Sequence, residues 1–242
     1  MQNTNEPSKV KFGEAAWVSA LLLLSLGVCL MSKAGYGVSM IVSPAYVIHL
    51  SFHDELPFLT FGMASYLFEG LLLIIMCISV RRFRWQYLLS FGTAVIYGLL
   101  LDMWTAIFGE EHYVQTHARI IAYTGGLLLS ALSIAMFFRS YLPPEVYDLL
   151  PKEIHRKYKF KQGIIKWVYD IASFVLAVAL TLIINRDFTG ISIGTLVCTI
   201  FNAPLIAMFG KYVTRVFSFE PAFPRLKAIL TPKEKPNEVS DL

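Results

Sequence analysis

Three carboxylates, Glu69, Asp102 and Asp170, stand inside long apolar runs of this chain. An ionised acid in such a setting is costly unless it is paired, protonated or in contact with water, so each is a candidate for work rather than for packing. Glu69 lies twelve residues into its run counted from Pro57. At about 1.5 Å of rise per residue this puts it near the middle of a membrane crossing. A carboxyl there suits proton coupling or substrate contact; the structural alternative is a hydrogen bond to a neighbouring helix. Asp102 and Asp170 stand closer to the ends of their runs, where interfacial water would solvate them, and Lys166, one helical turn before Asp170, offers an i, i+4 ion pair.

Asn202-Ala203-Pro204 interrupts the last apolar run. Proline removes a backbone donor and frees a carbonyl one turn earlier, so a kink with free acceptors beside an amide is expected. Broken helices of this type supply ligand contacts in transporters. Thr195 beside Gly194, and Ser43 and Tyr46 in a glycine-led segment, complete the candidate substrate contacts with Glu69, Asn202, Pro204, Asp102 and Asp170. Small residues such as Gly194 and Thr195 otherwise mean close helix approach. Four histidines, His49, His53, His112 and His117, are candidate metal ligands because His49 and His53 share one helical face and Glu110 and Glu111 adjoin His112. Solvation of polar loops explains the same residues. Neither His-Glu-x-x-His nor Gly-x-Ser-x-Gly occurs, and the expectation is a protein that is not an enzyme and needs no cofactor.

The elements that must position these residues are apolar runs over about Ala15–Ser32, Pro57–Val80, Trp85–Phe108, Ile120–Phe138, Ile164–Ile184 and Ile191–Val213. Each is near the ~20 residues that cross ~30 Å of hydrocarbon as helix. With 56% hydrophobic and only 16% charged residues, a soluble helical protein is excluded. Six crossings leave only Lys33, Arg119 and Arg186 of the 21 lysines and arginines on one side, which predicts that both termini are cytoplasmic in a plasma or inner membrane. The first run reads as an uncleaved span, since it meets no clear small-x-small cleavage site. The expected organisation is a cytoplasmic tail over 1–14, an all-α six-helix domain over 15–213 and a cytoplasmic tail over 214–242. Cys29, Cys77 and Cys198 fall within the spans and give no disulfide framework. The basic residues flank span ends, which suits anionic lipid rather than nucleic acid, and Pro151–Lys161 reads as a basic segment at the membrane surface.

Between the first two runs, Lys33–Leu50 is too apolar for a solvated loop and too rich in glycine for one helix. It suits either a break followed by a short helix that dips into the bundle or lies at the interface, or an extended first helix with a surface-lying amphipathic tail. Several features recur about 100 residues apart. Gly62 with Glu69 recurs as Gly163 with Asp170, Ser90-Phe-Gly-Thr93 as Ser192-Ile-Gly-Thr195, and Ser43–Leu50 resembles Tyr141–Leu150. A duplication of three crossings must enter from opposite faces, so repeat 1 (about 15–108) and repeat 2 (about 119–213) form an inverted pair.

Lys33-Ala-Gly-Tyr-Gly-Val-Ser-Met-Ile-Val-Ser-Pro44 and Gly190-Ile-Ser-Ile-Gly-Thr-Leu-Val-Cys-Thr-Ile-Phe-Asn-Ala-Pro-Leu-Ile206 resemble the bacterial YczE/YyaS/YitT group of integral membrane proteins. Where that pattern often has Ser-Pro-Trp-Asp, this chain has Ser43-Pro44-Ala45-Tyr46. The resemblance implies a multi-spanning membrane protein, often guessed to be a transporter, and names no substrate. Three functions follow from the sequence. The leading one is a secondary transporter or exporter of a small molecule or ion, by alternating access of two repeats. The others are a substrate-binding membrane subunit working with a separate energy-coupling ATPase, and a metal-dependent membrane enzyme using the outer histidines. A homodimer is compatible with each.

Overall fold

The computed structural model describes residues 10–11, 13–109, 111–187 and 190–218. Eight helices follow in order: α1 (Gly13–Ala34), α2 (Ser43–Phe52), α3 (Phe61–Val80), α4 (Trp85–Phe108), α5 (Thr116–Phe137), α6 (Val146–Tyr158), α7 (Gln162–Ile184) and α8 (Ile193–Val216). Six of them, all but α2 and α6, are long and apolar enough to cross a membrane, so the protein is a multi-pass membrane protein. A two-residue parallel pairing of β1 (Val10–Lys11) with β2 (Phe217–Ser218) brings the start of the first span and the end of the last to one end of the bundle.

Helix limits follow local chemistry that hydropathy alone does not see. The second span begins at Phe61 rather than Pro57 because Thr60, in extended conformation, accepts a hydrogen bond from the Met63 amide at 3.1 Å and caps α3. Arg81 closes α3 in the left-handed region. Gly35 (φ +67°) and Gly37 (φ +90°) break the chain after α1 where a side chain would be strained. The chain then turns inward rather than running along a surface. Val38 and Val42 are buried, as is the first half of α2, Ser43–Val47. Of the two readings of this segment, the break with a short helix entering the bundle is the one observed.

α6 behaves in the same way. Its first half carries buried Val146, Tyr147, Leu150 and Pro151, so the stretch expected to lie on the surface is only its outer, basic half. The outer end of α6 is tied to the last turn of α3 and the first of α4. Lys157 Nζ and Tyr158 OH donate to the Ser79 carbonyl at 2.8 and 3.0 Å, and Tyr87 OH donates to Glu153 at 2.7 Å. The outer end of α2 is tied instead to the residues just before α3, through a 2.9 Å contact of His49 Nδ1 with the Leu59 carbonyl. The two short helices therefore reach the bundle from opposite ends of α3, each with its N-terminus innermost.

α1 and α5 form the centre and are the most buried spans. They meet at Gly27 and Gly126, where a methyl on Gly126 would come within 2.5 Å of the Gly27 carbonyl. α4 packs on α1, α8 on α5, and α3 on α4. α7 rests chiefly on the two short helices, and α7 and α8 do not form a packed pair.

Candidate functional site

Glu69 is 0% exposed in the middle of α3, and its placement follows from a helix start. The first amides of a helix have no partner within it, and a carboxylate is well suited to accept from them. Glu69 Oε2 accepts from the Val146 amide at 2.9 Å, and Tyr147 N–H also donates to this carboxylate. An acid from α3 thus caps the inner end of α6 across 77 residues of sequence. Its other oxygen, Oε1, has no hydrogen-bond partner among the described residues.

Around this cap is a group of polar side chains. Glu145, the residue before α6, is 6% exposed, Tyr97 1% and Tyr147 3%, and Glu145 Oε1 and both phenol oxygens are without protein partners. Glu69 interacts electrostatically with Glu145, Asp148, Tyr97, Tyr147 and Tyr169, and Asp148 with Asp170. A cavity of about 40 Å³ is lined by Glu145, Tyr147 and Asp148 at the start of α6, Ser39 and Val42 at the start of α2, and Tyr97, Ser130 and Asn202. It has room for about three water molecules, and among the described residues no Lys, Arg or His lines it. A second cavity of about 40 Å³ shares Ser39, Ile41, Cys198 and Asn202 with the first and continues between α7 and α8 to Asp170, Lys166 and Thr199.

Of the residues singled out from sequence, Glu69, Asn202 and Asp170 gather here. Asn202 Oδ1 and Asp170 Oδ1 are buried without protein partners. Lys166 attracts Asp170 and lines the same outer cavity, but no nitrogen–oxygen contact within 4.0 Å joins them among the described residues. The other candidates lie elsewhere. Asp102 accepts from Thr60 Oγ1 at 2.6 Å and from the Gly62 amide at 2.7 Å, and so holds the start of α3 against α4. Thr195 is buried against the Gly37 turn, where a methyl on Gly37 would come within 2.4 Å of its hydroxyl. Ser43 Oγ donates to the Ser39 carbonyl at 2.9 Å, and Tyr46 packs on Phe61. α8 runs unbroken through Pro204, which is exposed on the outer side with Met208, Lys211 and Tyr212.

Among the described residues no three histidines, cysteines or acids are placed to hold a metal ion; Glu110 lies outside them. His49 and His53 meet edge to face at 4.9 Å, while His117 is exposed. His112 shares a small cavity with His49, Lys33 and Tyr46. Burial first, then the charges of Lys33 and Arg119, hold the His112 imidazole below its ordinary range. Arg119 itself fixes the end of α1, donating to the Ala34 and Gly35 carbonyls at 2.7 and 3.3 Å and stacking on Tyr36. Cys29 and Cys198 are buried and all three cysteines are free thiols.

Sequence reasoning passed over Glu145, Asp148 and the tyrosines. The signal that could have found the acids is the likeness of Tyr141–Leu150 to the re-entrant Ser43–Leu50, which places Glu145 and Asp148 at the inner end of the second short helix. The chain is similar to "Uncharacterized protein YyaS" of Bacillus subtilis (strain 168), at 29% identity over 202 residues that cover 81% of this chain and 92% of that one. No solved structure matches it. The profile of the DUF6198 family, a family of unknown function, matches residues 13–211, from the first span into the last, and the protein belongs to that family.

Proposed function

We propose that this protein is a secondary transporter or exporter of a small solute, working by alternating access of two inverted three-span repeats with both termini in the cytoplasm. The observation that carries the reading is the meeting of two short helices, entering from opposite ends, at one largely apolar cavity in the bundle interior onto which a few polar side chains converge. Half-helices that end at mid-bundle are how transporters present fixed dipoles and unpaired polar groups to a solute without exposing irregular backbone to lipid. The helix pairings support a repeat: α2 of the first half packs on α7 of the second, α6 of the second on α3 of the first, and α1–α4 is matched by α5–α8.

In this reading Glu69 is the coupling residue and Asn202 and Asp170 contact the solute. The cavity is small and closed on the α3–α4 side, and the weakly packed α7–α8 side is where it opens. Rocking α7 with the two short helices would move the opening from one face to the other. The test uses the purified full chain in proteoliposomes preloaded with unlabelled methylammonium, acetate or glycerol, with uptake of the same labelled solute measured by counterflow. Exchange of at least one above empty liposomes is expected, and Glu69→Gln, inserted in equal amount, is expected to abolish it. Absence of exchange for all three removes the transport reading; undiminished exchange by Glu69→Gln removes Glu69 from the mechanism.

A further inference from the structure

Two helix N-termini facing one cavity would by themselves favour an anion, since each carries the equivalent of about +0.5 charge. The side chains reverse that preference. Glu69, Glu145, Asp148 and Asp170 form one electrostatically connected group, against which the only cation lining either cavity among the described residues is Lys166. Glu69 alone offsets the inner end of α6, on which it makes its hydrogen bonds. With all four acids ionised, and both helix ends and Lys166 counted at about half and one charge each, negative charge would be in excess by about two, and in the empty site bound protons offset it. The excess is directed into the cavity: Glu145 Oε1 and the Tyr97 and Tyr147 hydroxyls, all on side chains more than nine-tenths buried, line it without protein partners. Asn202 Oδ1 adds an acceptor on the opposite wall.

We infer that the solute is a small organic cation of the alkylammonium class, its N–H donors taken by Glu145, Asn202 and the tyrosine hydroxyls; this rests on the transport reading above. Several acceptors converging from different helices suit an ammonium with three donors, and desolvated carboxylates supply its charge. The two adjoining cavities of about 40 Å³ limit it to a few heavy atoms. The carboxyl group accommodates the incoming charge by releasing protons, so binding is accompanied by proton release and the site stays near neutrality.

The test measures thermal unfolding of the detergent-purified full chain with methylammonium or ethylammonium chloride, sodium acetate or propionamide, at constant ionic strength. Ligands that bind only the folded state raise the midpoint. A saturable rise with the ammonium salts alone is expected, together with acidification of a weakly buffered sample on their addition. Glu145→Gln is expected to remove the rise. If that variant does not fold, Tyr97→Phe keeps the shape and is expected to weaken ammonium binding three- to tenfold. A rise with acetate or propionamide and none with ammonium overturns the inference, as does an ammonium response that survives Glu145→Gln or, where Tyr97→Phe is used, an affinity that it leaves unchanged. Ammonium binding without exchange in proteoliposomes leaves the inference standing and removes the transport reading. Exchange of acetate or glycerol but not methylammonium does the opposite.

Discussion

The pair α3–α4 and the pair α7–α8 carry the same short pattern and are packed differently. In α3, Gly62 lies so close to α4 that a methyl there would come within 2.0 Å of the Gly98 carbonyl, and seven residues later Glu69 is hydrogen-bonded to the start of α6. In α7, Gly163 has nothing within 4 Å, and seven residues later Asp170 leaves an oxygen without a protein partner near the start of α2. The N-cap of α2, Val42, has no side-chain cap either. One half is closed and its acid engaged; the other is open and its acid waiting. Under the proposed alternating access, the cap would be made on one side and released on the other as α7 moves.

The largest effect that separates the two sides is steric. Gly62→Val is expected to destabilise the bundle by about 3 kcal/mol, because backbone rather than a mobile side chain meets the new methyls. Gly163→Val is expected to stay within about 0.5 kcal/mol. Unfolding midpoints in detergent measure both, and equal losses would deny that α7 and α8 are open.

Next in size is the engagement of the two acids. Glu69→Ala leaves two buried helix amides without an acceptor and is expected to cost about 2–4 kcal/mol, whereas Asp170→Ala is expected to cost less than about 1 kcal/mol. A larger loss at Asp170 in the same unfolding assay would show that it, too, is engaged. The α8 residues give a smaller contrast. Asn202→Ala is expected to slow exchange about tenfold, the equivalent of one hydrogen bond, while Pro204→Ala on the outer side changes it less than about twofold.

The smallest effect tests the outer end, away from the cavity. The imidazole of His112 protonates less readily in the folded protein than in the unfolded chain, so the unfolded state binds more protons near and below pH ~6.5. Stability from this group is present above that pH and is lost as pH falls through the lower folded value. A slight fall in unfolding midpoint from pH 7.5 to pH 5 is expected, and His112→Asn should remove that part of it. An unchanged acid response in the variant would show that His112 has no share.

The spans were legible because hydropathy and end signals are local. The runs from Trp85 to Phe108 and from about Ile164 to Ile184 needed no correction beyond two residues. The entry of the second span was shifted by the Thr60 cap, which a hydropathy window averages away. The site was half legible. An acid amid apolar residues drew attention to Glu69 and Asp170 whatever they touch, whereas Glu145 sits in a Pro-Pro-Glu segment that reads as an ordinary loop until the burial of α6 is known. Asp102 carried the same signal as Glu69 and serves to hold the start of α3.

Composition and charge order alone determined that this chain has six long apolar helices and that the segment after the first breaks at its glycines, because solvation and backbone freedom of each stretch depend on its own residues, whereas the inward turn of that segment was decided by packing. Tertiary structure decided that Glu69 closes on α6, that Asn202 faces inward while Pro204 faces out, and that one side of the bundle is packed and the other is not. Those outcomes depend on which distant backbone amides and side chains are brought together when every buried polar group competes for a partner.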